Sequence, residues 1–362
     1  MPPAAEGALT PINRTPSSRL IASFASAALL AAAAIEAQPA VRHPVIIDTD
    51  FTAASPSDDA LAVLLALQSP ELDVVGIATV MGNDSLERAT SDVLRVLEIA
   101  GREDIPVYRG ARMPLVHEAG PWERAQYGRW YSDDPPPPPP GGFARKKAEN
   151  GSAAEFLVRA VNARPGALTI VAIGPLTNVA MAVRSDAGFA GRVKQLVIMG
   201  GAVAALPDGA GNQTPNAEFN FWVDPEAARI VLRSGIPIQL SPLNVSRKTN
   251  LTKAWYDRLV AVEAPLTGLL RRILGPTFER DPGQRVSMYD EVAVASLVDP
   301  TLVKMREMYV DVDIHPGINY GVSVGGEEPW PGAEGARRMA VQYDLDWERF
   351  ARLLVRNLTA RR

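Results

Sequence analysis

The chain has 362 residues, of which 47% are hydrophobic, and its formal net charge is −4. This length allows a full hydrophobic core, either in one large α/β domain or in two smaller ones. The mild acidity and the lack of Lys/Arg blocks give no reason to expect a nucleic-acid partner. The chain has no cysteine and three histidines, which excludes thiolate metal sites and argues against a multi-histidine zinc site. A hard cation held by oxygen ligands fits this composition better.

The N-terminal region has the layout of a targeting segment. Arg14 and Arg19 precede an apolar stretch over residues 20–35, and small residues follow. This order predicts a secretory signal peptide over residues 1–37. An uncleaved membrane anchor or an Ala-rich tail is the alternative interpretation. The signal peptide implies an exported protein, periplasmic or secreted, that is released from the membrane after cleavage.

From residue 41 onward, short apolar runs alternate with amphipathic stretches. The predicted strands are 44–49, 73–79, 106–108, 168–173, 193–199 and 236–240. The predicted helices between them are 57–67, 85–100, 153–162, 176–184 and 225–234. Alternation of this kind, with continuous Val/Ile runs, predicts an α/β fold with a mainly parallel central sheet covered by helices. No linker divides the chain, so we expect a single domain over residues 41–362.

Residues 118–150 form a long polar insertion in this pattern. Six consecutive prolines at 135–140 predict polyproline II and exclude a helix or a central strand there. Long irregular loops in compact domains are commonly functional or disordered. The aromatic residues of the insertion either cap a ligand or pack the loop onto the body of the protein. They are Trp122, Tyr127, Trp130 and Tyr131.

Four carboxylates lie within twelve positions near the first predicted strand. Asp48 and Asp50 are at its end, and Asp58 and Asp59 are at the start of the following helix. Crowded carboxylates repel each other, and a cation or a shared proton makes such a cluster tolerable. Acidic residues also complement a helix dipole, but this does not explain the two on the strand. Ligands of parallel α/β sheets bind at the carboxyl ends of strands, where the cluster lies.

Further polar motifs follow later apolar runs. Residues 80–83 (Val-Met-Gly-Asn), 173–178 (Ile-Gly-Pro-Leu-Thr-Asn) and 199–201 (Met-Gly-Gly) each end a predicted strand. Residues 216–220 (Asn-Ala-Glu-Phe-Asn) follow a Gly/Asn-rich loop, and Tyr289 with Asp290 comes late in the chain. We expect the first three motifs at the same edge of the sheet as the acidic cluster. The fourth motif can reach that edge from its loop.

In order and spacing, these motifs resemble the inosine-uridine preferring nucleoside hydrolase family over about residues 44–350. The resemblance implies a Rossmann-like core and an enzyme that hydrolyses the N-glycosidic bond of ribonucleosides to free base and ribose. It also implies one bound Ca²⁺ and assembly as a homodimer or homotetramer. An oxocarbenium-like ribosyl transition state is stabilised by nearby negative charge, which is consistent with the acidic cluster.

The resemblance also implies roles for individual residues. Asp50 is expected to bind the metal and to take a proton from the attacking water. Asp59, the backbone carbonyl of Ile173 and Asp290 are the other expected metal ligands. Asp48 is expected to lie next to these ligands and hold them in position without binding the metal itself.

The expected substrate-binding groups belong to the same motifs. Asp58 is expected to bind ribose hydroxyls. The other residues expected in the substrate pocket are Asn83, Met199, Asn212, Glu218 and Asn220.

Two features depart from the family pattern. The loop between Asp50 and Asp58 is four residues longer than usual and lacks the glycine of a tight turn. Tyr289 stands where well-known purine-cleaving and mixed-specificity members have a histidine. A tyrosine can donate a hydrogen bond to the departing base, but its pKa near about 10 makes it a weak acid at neutral pH. Residues considered for stacking against the base are Trp130, Tyr131, Trp255 and Tyr256.

Two other interpretations remain open at this point. The sequence from Asp48 to Thr52 resembles the strand end of haloacid-dehalogenase-like phosphatases, in which the first aspartate is the nucleophile. This interpretation leaves four residues unexplained: Asn83, Glu218, Asn220 and Asp290. The longer loop and Tyr289 motivate the second interpretation, a catalytically impaired nucleoside- or sugar-binding homologue.

Overall fold

The computed structural model describes residues 42–53, 56–126 and 129–360. Residues from Arg42 onward form one compact unit. The predicted signal peptide and Tyr127 lie outside the described residues. Within the described residues, no helix combines the length and apolar character needed to cross a membrane.

The described residues contain one ten-stranded sheet with the order β4-β3-β2-β1-β5-β6-β7-β10-β8-β9. Neighbouring strands pair in parallel, except that β8 is antiparallel to β10 and β9. The predicted α/β fold with a mainly parallel sheet is therefore confirmed. The strands are β1 (His43–Thr49), β2 (Leu72–Thr79), β3 (Val107–Arg109), β4 (Glu149–Ser152), β5 (Thr169–Ala172), β6 (Gln195–Met199), β7 (Ile238–Ser241), β8 (Val303–Val312), β9 (Ser323–Gly326) and β10 (Arg337–Leu345).

Helices connect the strands and cover both faces of the sheet. Those that precede β7 are α1 (Asp58–Gln68), α2 (Leu86–Ile99), α3 (Pro121–Gln126), α4 (Ala153–Ala163), α5 (Thr177–Ser185), α6 (Phe189–Arg192), α7 (Phe219–Val223) and α8 (Pro225–Leu232). Those that follow it are α9 (Leu243–Ser246), α10 (Lys253–Val260), α11 (Thr267–Arg280), α12 (Asp290–Val298), a 3₁₀ turn (Pro300–Leu302) and α13 (Trp347–Leu358).

Strand β1 sits at the point where the strand order changes direction. It pairs with β2 on one side and with β5 on the other. Val45 and Ile47 face the core layer that contains α1 and α12, whereas Ile46 faces the layer that contains α4, α5 and α8. Crevices at such switch points are the usual ligand sites of parallel sheets. The carboxyl ends of β1, β2, β5 and β6 therefore meet where the sequence places its polar motifs.

Helix α1 begins one residue later than predicted. Ser57 is its N-cap, and the Ser57 Oγ accepts a hydrogen bond from the backbone N–H of Ala60 at 3.1 Å. Asp58 and Asp59 occupy the first turn, and most of the helix is buried against the sheet and α12. The helix is apolar on nearly every side because it lies between two layers of structure.

The C-terminal antiparallel strands were not predicted from the sequence. Residues 304–307 of β8 are exposed, and only its ends are consistently buried. Residues 303–308 of β8 pair only with β10, since β9 pairs with residues 309–312, and a stretch paired on one side lacks the continuous apolar run that identified the parallel strands. The short strand β4 was missed for a similar reason, because none of its four residues is fully buried.

The insertion at residues 118–150 packs onto the body of the protein. Its proline run forms neither helix nor strand, as predicted, while α3 and the start of β4 lie at its two ends. Trp130 is buried to 1% exposure in a cluster with Val80, Met81, Ala217 and Trp222. Val80, Met81 and Ala217 belong to the 80–83 and 216–220 motifs, and Trp222 closely follows the second motif. Of the two interpretations of the insertion's aromatic residues, Trp130 supports packing.

We predict that Trp130→Ala destabilises the fold by about 3–5 kcal/mol, because it empties a buried aromatic position. Urea unfolding monitored by circular dichroism measures the change. Phe143→Ala is the matched control, since Phe143 lies in the same insertion but is 54% exposed. Equal stability losses in the two variants would contradict the packing role of Trp130.

Candidate active site

A pocket of about 180 Å³ opens at the carboxyl edge of the sheet. We call it the central pocket. Its walls include the ends of β5 and β6, the loop after β2 and the first residues of α1, α7 and α12. Residues from all of the predicted motifs therefore meet there. The predicted site residues that line it are Asp58, Asn83, Ile173, Met199, Asn212, Glu218, Asn220, Tyr289 and Asp290.

Three carboxylates converge beside this pocket. Asp58, Asp59 and Asp290 each offer an oxygen, and these oxygens lie within 4.8 Å of one another. Asp59 and Asp290 are buried, and burial raises the pKa of both carboxyl groups well above the ordinary range. Neighbouring carboxylates raise the pKa values further. The fold thus brings together carboxylates whose charged forms are disfavoured both by burial and by mutual repulsion.

Asp50 lies between two glycines behind the pocket. A Cβ at Gly82 would lie 2.1 Å from the Asp50 Oδ2, and a Cβ at Gly174 would lie 2.8 Å from its Oδ1. The Oδ2 accepts a hydrogen bond from the backbone N–H of Asn83 at 2.7 Å. The Oδ1 is buried and has no hydrogen-bond partner among the described residues. Only glycine allows the backbone this close to the carboxylate.

Asn83 joins the two halves of the acidic cluster. Its backbone N–H donates to Asp50, and its side-chain Nδ2 donates to the Asp59 Oδ2 at 2.8 Å. The Thr49 Oγ1 donates to the other oxygen of Asp59 at 2.5 Å. Both aspartates therefore approach the same asparagine despite the longer loop between them.

The longer loop is anchored on its other side. Phe51 is fully buried in the core, and the backbone N–H of Ala53 donates to the Asp92 Oδ2 on α2 at 2.7 Å. Arg88 forms an ion pair with Asp92 at 2.8 Å. These contacts hold the described part of the loop against the protein body.

Asp48 lies below the cluster and does not line the central pocket. It is buried, and its Oδ1 accepts a hydrogen bond from the Asn178 Nδ2 at 2.7 Å. Burial raises the pKa of Asp48 to about 7, and the bond from Asn178 opposes this rise. A phosphatase nucleophile must reach its substrate, so this position does not favour the haloacid-dehalogenase interpretation.

Glu218 and Asn220 order the opposite wall of the pocket. The Glu218 carboxylate caps α7 and accepts from the backbone N–H groups of Gly201, Asn220 and Phe221 at 2.8–3.0 Å. The Asn220 Nδ2 donates to the carbonyl oxygens of Ile173, at 3.3 Å, and Met199, at 3.2 Å. Glu218 Oε1 accepts a single one of these bonds, which leaves it a lone pair for a substrate hydroxyl.

The other predicted pocket residues have distinct environments. The Asn212 Oδ1 accepts from the backbone N–H of Phe219 at 2.9 Å, and Phe219 lines the central pocket beside it. Tyr289 is the residue before α12, and burial raises the pKa of its hydroxyl. This shift makes Tyr289 a weaker acid than an exposed tyrosine.

The four aromatic residues considered for base stacking do not line the central pocket. Trp130 is buried in the insertion, with Tyr131 edge-on to it at 5.7 Å between ring centroids. Trp255 contacts the ring of Trp347, and Tyr256 stacks on Phe278 at 5.2 Å. These contacts hold α10 against α11 and α13. Phe219, which the sequence analysis quoted only within its motif, is the aromatic side chain at the pocket together with Tyr289.

The donor set of the cluster fits a hard cation. All of its groups are oxygens, and none of the acids Asp48, Asp50, Asp58, Asp59 and Asp290 forms an ion pair with a Lys, Arg or His among the described residues. The Asp50 Oδ1 remains without a partner. Ca²⁺ is bound by carboxylate and carbonyl oxygens of this kind. A cation at this position would relieve the repulsion between the carboxylates.

Two residues of the site were missed in the sequence analysis. Asn178, the partner of Asp48, was seen only as part of a strand-to-helix motif. Glu291 follows Asp290 in an otherwise apolar helix and is 1% exposed. A charged residue in a helix that is apolar all round is itself a signal, because such a helix is buried on every side.

Acidic oxygens at a parallel-sheet edge, with amide side chains beside them, suit a metal-dependent hydrolase that acts on a hydroxyl-bearing substrate. The model of the family described as "Inosine-uridine preferring nucleoside hydrolase" matches residues 45–352. The chain belongs to this family, and it is accordingly a ribonucleoside N-ribohydrolase, a glycosidase. The resemblance that its motifs indicated is confirmed.

Known relatives are similar to this chain in sequence and structure over nearly the whole domain. The pyrimidine-specific ribonucleoside hydrolase RihB of Escherichia coli O1:K1 is 31% identical over 313 residues, which are 84% of this chain and 94% of that protein. A plant nucleoside hydrolase, the PpNRh1 enzyme, is 32% identical with a TM-score of 0.75, over 88% of this chain and 100% of that one. The purine-preferring ribonucleoside hydrolase of Gardnerella vaginalis is 27% identical with a TM-score of 0.72, over 87% of this chain and 98% of that chain.

We predict that Gly82→Ala lowers kcat/KM by at least about 100-fold, because its Cβ displaces the Asp50 carboxylate and small misplacements at a reacting centre are costly. Ribose release from ribonucleosides measures the effect. Gly268→Ala on α11 is the matched control, since a Cβ there meets nothing within 4 Å. Wild-type activity in Gly82→Ala would contradict the close packing of Asp50.

We also predict a pH effect from Asp48. The folded-state pKa of about 7 lies above the ordinary value of 3.8, so the folded state holds this proton more tightly than the unfolded state. The resulting stabilisation is complete below about pH 4 and is lost as pH rises to about 7. In metal-free protein, Asp48→Asn should therefore gain stability relative to wild type over this range, by up to about 4 kcal/mol. Urea unfolding at several pH values tests this, and parallel pH profiles would contradict it.

Proposed function

We propose that this protein hydrolyses ribonucleosides in a Ca²⁺-dependent reaction in which Asp50 activates the attacking water. The observation that carries the proposal is the buried, unpartnered Asp50 Oδ1 beside the Asp58, Asp59 and Asp290 cluster. Asp50, Asp59, Asp290 and the carbonyl oxygen of Ile173 would hold the cation. When bound, Ca²⁺ supplies positive charge that orients water and sugar hydroxyls and lowers the pKa of the water.

The acidic residues have separable roles in this proposal. Asp50 accepts the proton from water, while its position is fixed by Gly82, Gly174 and the Asn83 backbone. Asp58 is less buried than Asp59 and lines the central pocket, where it can accept hydrogen bonds from ribose hydroxyls. Net negative charge beside the ring stabilises the ribosyl group as it gains oxocarbenium character.

Amide and carboxylate groups on the opposite wall hold the sugar. Asn83, Asn212 and Asn220 have side chains at the pocket, and Glu218 retains an acceptor lone pair there. Met199 supplies an apolar surface beside them. In this proposal, several hydrogen bonds to the ribose hydroxyls fix the orientation of the sugar and hold its anomeric carbon near Asp50. The entropy cost of reaching the reactive geometry is then met when the substrate binds.

We assign Tyr289, which lines the central pocket, the role of assisting the leaving base. Its hydroxyl can donate a hydrogen bond to a departing nitrogen or oxygen. Since burial raises the pKa of this hydroxyl, we propose that it stabilises the leaving group by hydrogen bonding and does not fully transfer its proton. The impaired-homologue interpretation is not favoured, because the longer loop still brings Asp50 and Asp59 to Asn83.

The test is ribose release from uridine, cytidine, inosine and guanosine by protein supplied with Ca²⁺. We expect Asp50→Asn to lower kcat by about 10²–10⁴-fold, because it removes the base. Chelation should abolish activity, and added Ca²⁺ should restore it. Asp84→Asn is the matched control, since Asp84 follows Asn83 but does not line the pocket. No turnover of any ribonucleoside by metal-loaded protein would overturn the proposal.

We further propose that residues 1–37 direct export and that the mature protein acts in the periplasm or outside the cell, as a homodimer or homotetramer. The arginines followed by an apolar stretch support the first point. N-terminal sequencing of protein recovered from the export fraction tests it. A retained Met1 in that fraction would contradict cleavage, and light scattering of the mature protein gives the number of subunits.

A further inference from the structure

A loop beside the central pocket carries two of the pocket's side chains. Residues 203–216, between β6 and α7, form neither helix nor strand, and we call them the pocket loop. Asn212 and Gln213, near the end of this loop, line the central pocket. The backbone groups of such a loop have no partners in a helix or a sheet, so other contacts must satisfy them. Those contacts determine where Asn212 and Gln213 lie.

Hydrogen bonds within the segment fold the end of the pocket loop into a tight turn. The backbone N–H of Gly211 donates to the carbonyl oxygen of Pro215 at 2.9 Å. The N–H groups of Asn212 and Gln213 both donate to the carbonyl oxygen of Ala217 at 3.1 Å. A Cβ at Gly211 would lie 2.3 Å from that same oxygen, so only glycine allows this close approach. The donors of the turn are thus satisfied locally, whereas the carbonyl groups before it are bound from outside the loop.

Helix α9, which follows β7, supplies those outside partners. Asn244 on this helix is fully buried and binds the first part of the pocket loop. Its Nδ2 donates to the carbonyl oxygens of Val203, at 3.0 Å, and Pro207, at 2.7 Å. Its Oδ1 accepts from the backbone N–H of Val203 at 2.9 Å. One buried amide therefore anchors the beginning of the loop at two positions.

Arg247, at the C-terminus of α9, binds the second part of the pocket loop. Its guanidinium group donates to the carbonyl oxygens of Asp208, of Ala210 at 2.5 Å and of Gly211 at 3.0 Å. Gly211 directly precedes Asn212, so the last of these bonds fixes the peptide group next to a pocket residue. A guanidinium group is a planar array of donors that can bind several acceptors at once in a fixed geometry.

The conformation of Asp208 is consistent with a loop that is held from outside. Asp208 has a φ of 60°, and no other non-glycine residue that the structure describes has a positive φ. Few non-glycine residues adopt this conformation. The Asp208 carboxylate binds the Lys248 ammonium at 2.7 Å, but this ion pair is partly exposed, and such pairs contribute little. Arg247, in contrast, directs all of its hydrogen bonds within the described part of the chain to backbone carbonyls.

We propose that Arg247 is a positioning residue of the hydrolase, which holds the pocket loop in the conformation that presents Asn212 and Gln213 to the sugar. Arg247 does not line the central pocket, so it acts through these two amides and does not contact the substrate. The inference rests on the proposed function, because it assumes that the ribose binds in the central pocket. Without the guanidinium group, three carbonyl groups lose their partner and the loop gains alternative conformations.

The first experiment measures kcat/KM in two backgrounds, with the ribonucleoside that the wild type hydrolyses fastest. Arg247→Met removes the donors and keeps an apolar stem. We expect it to lower kcat/KM at least about tenfold, because it displaces groups that orient the substrate. In protein that already carries Asn212→Ala and Gln213→Ala, the same change should lower kcat/KM by less than about twofold. Equal losses in the two backgrounds would overturn the inference, since a general loss of stability does not depend on the two amides.

Two further variants separate the guanidinium contacts from the positive charge. Lys248→Met is the matched control, because it removes a charge from the next residue and breaks only the ion pair with Asp208. Its kcat/KM should stay within about twofold of the wild type. Arg247→Lys keeps the charge, but one compact ammonium group cannot bind three carbonyl oxygens in the same arrangement, so its kcat/KM should be at least about threefold below the wild type. Full activity in Arg247→Lys, or equal losses in Lys248→Met and Arg247→Met, would contradict the positioning role.

Hydrogen exchange followed by mass spectrometry tests the loop without any need for activity. Amides of residues 208–216 should exchange at least about tenfold faster in Arg247→Met than in the wild type, because local opening becomes easier. Amides in the strands of the sheet should keep their wild-type rates. Unchanged exchange in the pocket loop would show that Arg247 does not hold it, and the inference would be wrong.

This measurement also distinguishes the inference from the proposed function. If no ribonucleoside is hydrolysed, the proposed function fails, but the exchange rates still decide whether Arg247 holds the pocket loop. If Arg247→Met fails to fold, Arg247→Lys takes its place in both experiments with the same expected directions. Wild-type kinetics and wild-type exchange in Arg247→Lys would then overturn the inference.

Discussion

The repulsion between buried carboxylates at the end of β1 is the constraint on which the rest of the site depends. Asp50, Asp59 and Asp290 are buried near one another, yet no basic side chain among the described residues pairs with them. Their hydrogen-bond donors are neutral: a backbone N–H, an asparagine amide and a threonine hydroxyl. Neutral donors fix the positions of the carboxylates without cancelling their charge. The repulsion between the carboxylates is therefore left for a bound cation or for added protons to relieve, which agrees with the raised pKa values of Asp59 and Asp290.

The parallel sheet explains how such crowding is achieved. Strands β1, β2, β5 and β6 end side by side, and each end is followed at once by a polar or glycine-rich turn. Gly82 and Gly174 lie in the turns that follow β2 and β5, the strands on either side of β1, and both approach Asp50 closely. A side chain at either glycine would occupy the space of the carboxylate. Glycine is needed here for close approach, since neither residue has a positive φ.

The parallel core and the composition of the central pocket could be predicted from the sequence because both depend on local patterns. Short apolar runs identified six of the parallel strands, β1, β2, β3, β5, β6 and β7, and short motifs identified most of the pocket. Contacts between distant segments could not be predicted. Asp48 and Asn178 are 130 residues apart, and no periodicity relates them. The exposed face of β8 and the burial of Trp130 likewise depend on neighbours that are remote in sequence.

The two departures from the family pattern affect different parts of the site. The longer loop leaves the acidic cluster assembled, since Asn83 bonds to Asp50 and Asp59 alike. Tyr289, in contrast, directly precedes Asp290 at the start of α12. Both residues line the central pocket, so the second departure changes a wall of the pocket and leaves the acidic cluster in place.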